Sequence, residues 1–239
     1  MKTLLTIIAC RGYVDSGELE GAIQFICPSD NEEQTGFLAR ASKEAKGKYC
    51  VVTDGLFELA DVQSLLNIID KNTADLVCFV GGNAIKTSLL KGLKDYKDPF
   101  SFRIMSILNC KSLLKTVYNP IKFVKENTAF CESDVEGILC ASEQFVKVKA
   151  KLNKEIYSYI FNMLCDKIVL YYLSAMLEIR NGTLQAETLI GFDNKLKAEI
   201  VLYLAVQKRF TYADLDKLRE KGFKINWFTN RKFKKVLGK

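Results

Sequence analysis

Short apolar runs alternate with helix-period segments through the N-terminal third of the chain, and few folds accept that pattern. Leu4–Cys10, Ile23–Cys27, Tyr49–Thr53 and Ala74–Val80 have strand length and are largely apolar. Between them, Glu32–Ala45 places Phe37, Leu38, Ala41 and Ala45 on one helical face, and Leu59–Lys71 repeats Val62, Leu65, Leu66 and Ile69 at similar spacing. Strands separated by helices of this length predict βαβ units and a parallel sheet covered on both faces. Crossovers in such a sheet are right-handed, and ligands gather at the C-terminal ends of its strands.

From Phe102 onward the texture turns helical. Helices are expected around Ser106–Val117 and Asp134–Gln144, with Phe145–Lys149 alternating like an edge strand. A long helix over Asn153–Arg180, ended by Asn181-Gly182, is apolar on nearly all sides and so must be buried or paired. Further helices are expected over Asn194–Lys208 and Tyr212–Lys221, with Thr211-Tyr212-Ala213-Asp214 reading as a capping box. The expected plan is an α/β part over residues 1–150 and a helical extension over residues 151–239, with no Gly/Ser-rich linker between them.

Two residue types narrow the chemistry. The chain has no histidine, which removes every Ser-His or Cys-His nucleophile arrangement and leaves acid–base work to carboxylates, Lys, Tyr or Cys. Its eight cysteines stand singly, several inside apolar runs, and read as small buried hydrophobes in a reducing compartment. The opening "MKTLLTIIAC" has an apolar run at the lower limit for a signal sequence and reads better as a buried first strand. The stretch Ile156–Ile179 is broken by Asn162, Asp166 and Lys167, so neither piece reaches the ~20 residues a bilayer span needs. The expectation is a cytoplasmic protein, soluble or peripheral at the inner membrane face.

The formal charge of +7 is concentrated at one end: Lys217–Lys239 holds nine basic residues and one acidic residue. There Lys224, Arg231, Lys232, Lys234 and Lys235 interleave with Trp227 and Phe228. Such a mixture suits an anionic membrane surface, where rings sit among headgroups and each cation adds about 1 kcal/mol. It suits better still a terminal amphipathic helix that docks its aromatics on the domain and leaves its lysines solvated, and much less well a single-stranded nucleic acid.

One stretch carries a resemblance. Ala39 to Phe79, "ARASKEAKGKYCVVTDGLFELADVQSLLNIIDKNTADLVCF", resembles the middle of a family 2 glycosyltransferase of the GT-A fold. In that family a helix and turn lead into a strand ending in Asp-x-Asp, then a helix, then a strand opening with Ala-Asp. Asn109 to Ile138, "NCKSLLKTVYNPIKFVKENTAFCESDVEGI", is similar to the acceptor-side segment, where an acidic pair opens a helix. The resemblance implies a reduced GT-A, Rossmann-like α/β domain with a helical C-terminal extension. It implies a nucleotide-sugar donor, a divalent cation (Mn²⁺ or Mg²⁺) at the diphosphate, and a carboxylate base for the acceptor hydroxyl. By carry-over, Asp54 matches the first Asp of Asp-x-Asp and is the implied nucleotide and metal contact, while Leu56 stands where the second would be. Asp30 is the carboxylate nearest the base-binding loop, and Arg40 would face the nucleotide and replace metal charge. Asp134 is the implied base, with Glu132 as the second acid.

Plain structural readings stand beside these. Asp54-Gly55 is also a common turn signal, Asp30 reads equally well as a helix cap, and Asp134 reads more readily as a helix cap than as a base. Gly81-Gly82 reads as a bend, and Arg40 as an exposed helical cation. With Asp-x-Asp incomplete, the alternative function is a catalytically silent GT-A-fold module that binds or assembles.

Overall fold

A computed structural model of the chain describes residues 3–10, 22–60, 62–123, 132–181 and 184–212. The fold is mixed α/β. Strands β1 (Leu5–Ala9), β2 (Ile23–Ile26) and β3 (Tyr49–Thr53) form a parallel trio in the order β2-β1-β3. Leu5 pairs with Ile23 on one side and Tyr49 on the other. Beyond β3 the six-stranded sheet continues through β6 (Gly82–Lys86), β5 (Leu76–Phe79) and β7 (Leu113–Lys115). Only β6 runs against its neighbours, so the other five strands all end on one edge. A separate antiparallel pair joins β4 (Phe57–Leu59) to β8 (Ile121–Phe123).

The apolar runs are explained by burial on both faces. Leu5, Ile7, Tyr49, Val51, Val77 and Phe79 point to one side, where helix α2 (Val62–Lys71) covers them with Val62, Leu65, Leu66 and Ile69. Ile8, Cys50, Val52, Leu76 and Cys78 point to the other side. There α1 (Gln34–Glu44) contributes Phe37, Leu38 and Ala41 to the same core as α3 (Pro99–Leu108) and α4 (Glu132–Val148). That core continues without a break through α5 (Lys154–Asn181) and α6 (Ala186–Lys197) to Val206 on α7 (Ile200–Tyr212).

Tight polar contacts set the turns. The Gly47 N–H donates to Thr6 Oγ1 at 2.9 Å, and a Cβ at Gly47 would lie 2.5 Å from the Thr6 backbone nitrogen. No side chain fits between that turn and β1. Lys48 Nζ donates to the carbonyls of Ile69, Asp70 and Asn72 at 2.7–2.8 Å, closing the C-terminus of α2 with a cation.

The structure departs from several of these expectations. No helix spans Ser106–Val117; α3 starts earlier, at Pro99, and Leu113–Lys115 pairs with β5. Asp98-Pro99 was the missed signal: Asp98 caps α3 by accepting from the Ser101 N–H at 2.7 Å, and proline favours the first helical position. Phe145–Lys149 is no edge strand. It finishes α4 and enters a short 3-10 turn, because Phe145 is needed in the core against Tyr157 and Phe161. Asn194–Lys208 is two helices that break at Ala198-Glu199, without glycine or proline. Thr211 lies inside α7 rather than capping a new helix, and the remainder of the expected Tyr212–Lys221 helix falls outside the described residues. Leu59 belongs to β4, and α2 begins at Val62.

Candidate functional site

Asp54 and Asp30 both follow parallel strands on one edge of the sheet, while Arg40 lies on α1 and Asp134 on α4. Asp54 follows β3 directly and is half-buried, at the bend that leads into β4. Thr53, its neighbour, is fully buried and donates its hydroxyl to the Ile8 carbonyl at 3.3 Å, while Cys10 N–H donates to the Thr53 carbonyl at 3.1 Å. The end of β3 is thereby held against the end of β1.

Asp30 sits on the same edge, exposed, in the loop after β2. That loop is closed on itself: the Ser29 N–H donates to Glu32 Oε2 at 3.0 Å, the Glu32 N–H donates to the Ser29 carbonyl at 3.1 Å, and Asn31 takes a φ of 62°. Asp30 is not the cap of α1, a position taken by Glu33. Arg40 locks the loop from the helix side. Its Nε and one terminal nitrogen donate to the two oxygens of Glu32 at 2.9 and 2.6 Å, and the same terminal nitrogen reaches the Cys27 carbonyl at 3.1 Å. The other terminal nitrogen donates to Glu44 at 2.9 Å. The hydrogen bonds from Arg40, with that from Ser29, hold the Glu32 carboxyl down at about 2, well below the usual range.

Asp134 occupies the first turn of α4 rather than its cap. Its side chain is nearly buried and lies 3.7 Å from Lys167 Nζ on α5. Asp98 packs nearby: a Cβ at Gly137, one turn beyond Asp134, would collide with the Asp98 carboxylate. Burial pushes the Asp98 carboxyl above its usual range, with the Ser101 bonds pulling the other way. Tyr96, two residues before Asp98, donates its hydroxyl to the Thr35 carbonyl in the first turn of α1 at 3.4 Å. Glu132 opens α4, and its side chain falls outside what is described. The tail residues Lys224, Trp227, Phe228, Arg231, Lys232, Lys234 and Lys235 lie outside the described residues altogether.

The donor set does not fit a divalent cation held as the resemblance implies. Leu56 offers no oxygen ligand, Glu58 sits on β4 opposite Lys122, and among the described residues no group of three or more His, Cys, Asp or Glu comes together that would hold a metal ion. A cavity of about 460 Å³ lies elsewhere, between α4, α5 and α6, and includes none of Asp30, Arg40, Asp54 or Asp134 in its lining.

The importance of Glu32 and Lys167 was missed in the sequence. Glu32 was visible only as one of three acidic or amide residues opening a helix, and Lys167 as an interruption in a long apolar stretch. Glu32 meets Arg40 within the loop and first turns of α1, whereas Lys167 reaches Asp134 from a different helix, a pairing that the fold alone creates.

No family model matches the sequence, and no curated protein does either. Among solved structures, the crystal structure of S. aureus TarS 1-349 is similar at 10% identity and a TM-score of 0.41, covering 87% of this chain and 91% of that one.

Proposed function

We propose that the protein binds a nucleotide sugar at the C-terminal edge of its parallel strands and transfers the sugar to a cell-envelope or lipid-linked acceptor. The observation that carries this reading is the position of Asp54 and Asp30, which follow the parallel strands flanking β1 on one edge of the sheet. Ligands of open α/β sheets bind outside that edge. On this reading Asp54 contacts the nucleotide, Asp30 faces its base, and Arg40 holds the loop that presents Asp30. Asp134, oriented by Lys167, takes the proton from the acceptor hydroxyl as the new glycosidic bond forms and the bond to the nucleoside diphosphate breaks, with Glu132 as the second acid.

A second reading, a silent module that keeps the fold for binding or assembly, is favoured by Leu56 at the place of the second metal-binding Asp. A melting-temperature titration with UDP, GDP, CDP and dTDP, each with and without Mn²⁺ or Mg²⁺, separates the two. The expected outcome is stabilisation by one nucleotide, about 2.7 kcal/mol at a hundred times its Kd, lost in Asp54→Ala. No stabilisation by any of the four overturns the nucleotide reading and leaves the silent module.

A further inference from the structure

We infer that the C-terminal ends of β5 and β7, together with Arg103 on α3, form a binding site for a phosphoryl group carried beside a hydroxyl. Asn83, Cys78 and Lys115 stand in register across β6, β5 and β7, so their side chains share one face of the sheet. For Cys78 that is the face covered by α3 and α5. From α5, Tyr159 reaches this row, and its hydroxyl accepts from Asn83 Nδ2 at 3.1 Å. Burial holds the Tyr159 hydroxyl well above its usual range, and the charge of Arg103 is among the effects that pull it back. Burial likewise pushes the Cys78 thiol up to about 11, with Tyr159 and the charge of Lys115 pulling the other way. Both cations therefore act on the same short row of side chains.

Three groups here find no partner among the described residues. Asn83 is 3% exposed, and its Oδ1 makes no hydrogen bond. Arg103 is half-buried and packs over the Phe100 ring at 5.8 Å, yet its Nε is sealed from water without an acceptor. Lys115 is exposed at its strand end, and among the described residues no acid pairs with it or with Arg103. The other cation over Phe100, Lys167 at 5.5 Å, is taken up by Asp134. An orphaned buried acceptor and an uncompensated cation each cost free energy that a complementary ligand removes. Two cations match a phosphate monoester, which carries about −1.5 to −2 at pH 7, better than the single charge of a carboxylate. Asn83 Oδ1 accepts and cannot donate, so it calls for a hydroxyl next to that phosphate. The site is set apart from Asp30 and Asp54, because β6 runs between β3 and β5. The inference does not require sugar transfer.

The test is isothermal titration of the full-length protein with glucose 6-phosphate, glucuronate, inorganic phosphate and glucose. Glucose 6-phosphate is expected to bind, glucuronate and inorganic phosphate to bind several-fold more weakly, and glucose not to bind. Arg103→Ala should weaken glucose 6-phosphate by about tenfold or more, and Lys115→Ala by about threefold. Circular dichroism checks that both variants fold, and the exposed position of Lys115 keeps the test decisive even if Arg103→Ala does not. No binding of glucose 6-phosphate overturns the inference, as does binding that the folded variants keep at wild-type strength. Glucuronate binding as tightly as glucose 6-phosphate overturns the phosphoryl assignment. Inorganic phosphate binding as tightly overturns the part assigned to the hydroxyl and makes free phosphate the ligand. Binding here without stabilisation by any nucleotide would overturn the nucleotide-sugar reading alone and leave this site standing.

Discussion

Arg40 turns its guanidinium toward Glu32, Glu44 and the Cys27 carbonyl, so its contribution to the strand edge is the shape of the loop bearing Asp30. Glu32 gives that arrangement a pH signature. Its folded carboxyl lies at about 2 against an ordinary value of 4.5, so the ionised form favours the folded state. The contribution is fully present above pH 4.5 and is lost as pH falls from there toward about 2. Glu32→Gln should therefore lower the melting temperature at pH 7, with the deficit shrinking as acid is added and vanishing near that lower limit. A deficit that stays constant from pH 7 to pH 2 would sink this account. Asp54 was legible in the sequence because a strand end followed by Asp-Gly is a local signal. The partner of Asp134 was not, because Lys167 is separated from it by a whole helix and part of another.

Elements were legible where their pattern answers to one neighbour and misleading where it answers to several. Helix α2, with a single apolar stripe against one face of the sheet, emerged from its spacing with only its start displaced. The end of α4 did not, since Phe145-Val146-Lys147-Val148 alternates like a strand while its backbone is helical. Phe145 decides the matter by packing its ring 5.3 Å from Tyr157 and 6.3 Å from Phe161 on α5, nearly sealed from water. Phe145→Ala should cost about 3–5 kcal/mol of stability, through lost burial and the cavity left behind. Urea denaturation measures it, and a loss under about 1 kcal/mol would mean that α4 and α5 do not depend on this contact. The small strands β4, β7 and β8 escaped notice because three residues are too few to establish a period.

At the scale of the molecule, one core runs from Ile8 on β1 to Val206 on α7, so the helical part packs on the same interior as the sheet. Calorimetry is expected to record a single cooperative transition, with calorimetric and van't Hoff enthalpies in agreement. Two resolved transitions would show that the segment after residue 150 folds by itself. The same continuity explains why α5 is apolar on more than one side: Leu164, Cys165, Val169, Tyr171 and Leu173, spread over more than half of its circumference, all lie in that core. Tyr172 also donates to Asp193 at 2.8 Å, tying α6 to it from within.

By itself the sequence determined the α/β class, the parallel strands and the edge on which Asp30 and Asp54 stand. Those follow from periodicity, chain direction and turn chemistry, which act over a few residues. Tertiary structure alone decided that β6 turns back between β3 and β5, that α6 and α7 separate without a breaker residue, and which charges pair across helices. It also decided that Ile200, Val201 and Leu204 on α7 stand exposed while Leu202 and Val206 are buried. Each of these depends on which surfaces meet when the core closes, and packing between residues far apart in the chain leaves no local mark on the pattern that precedes it.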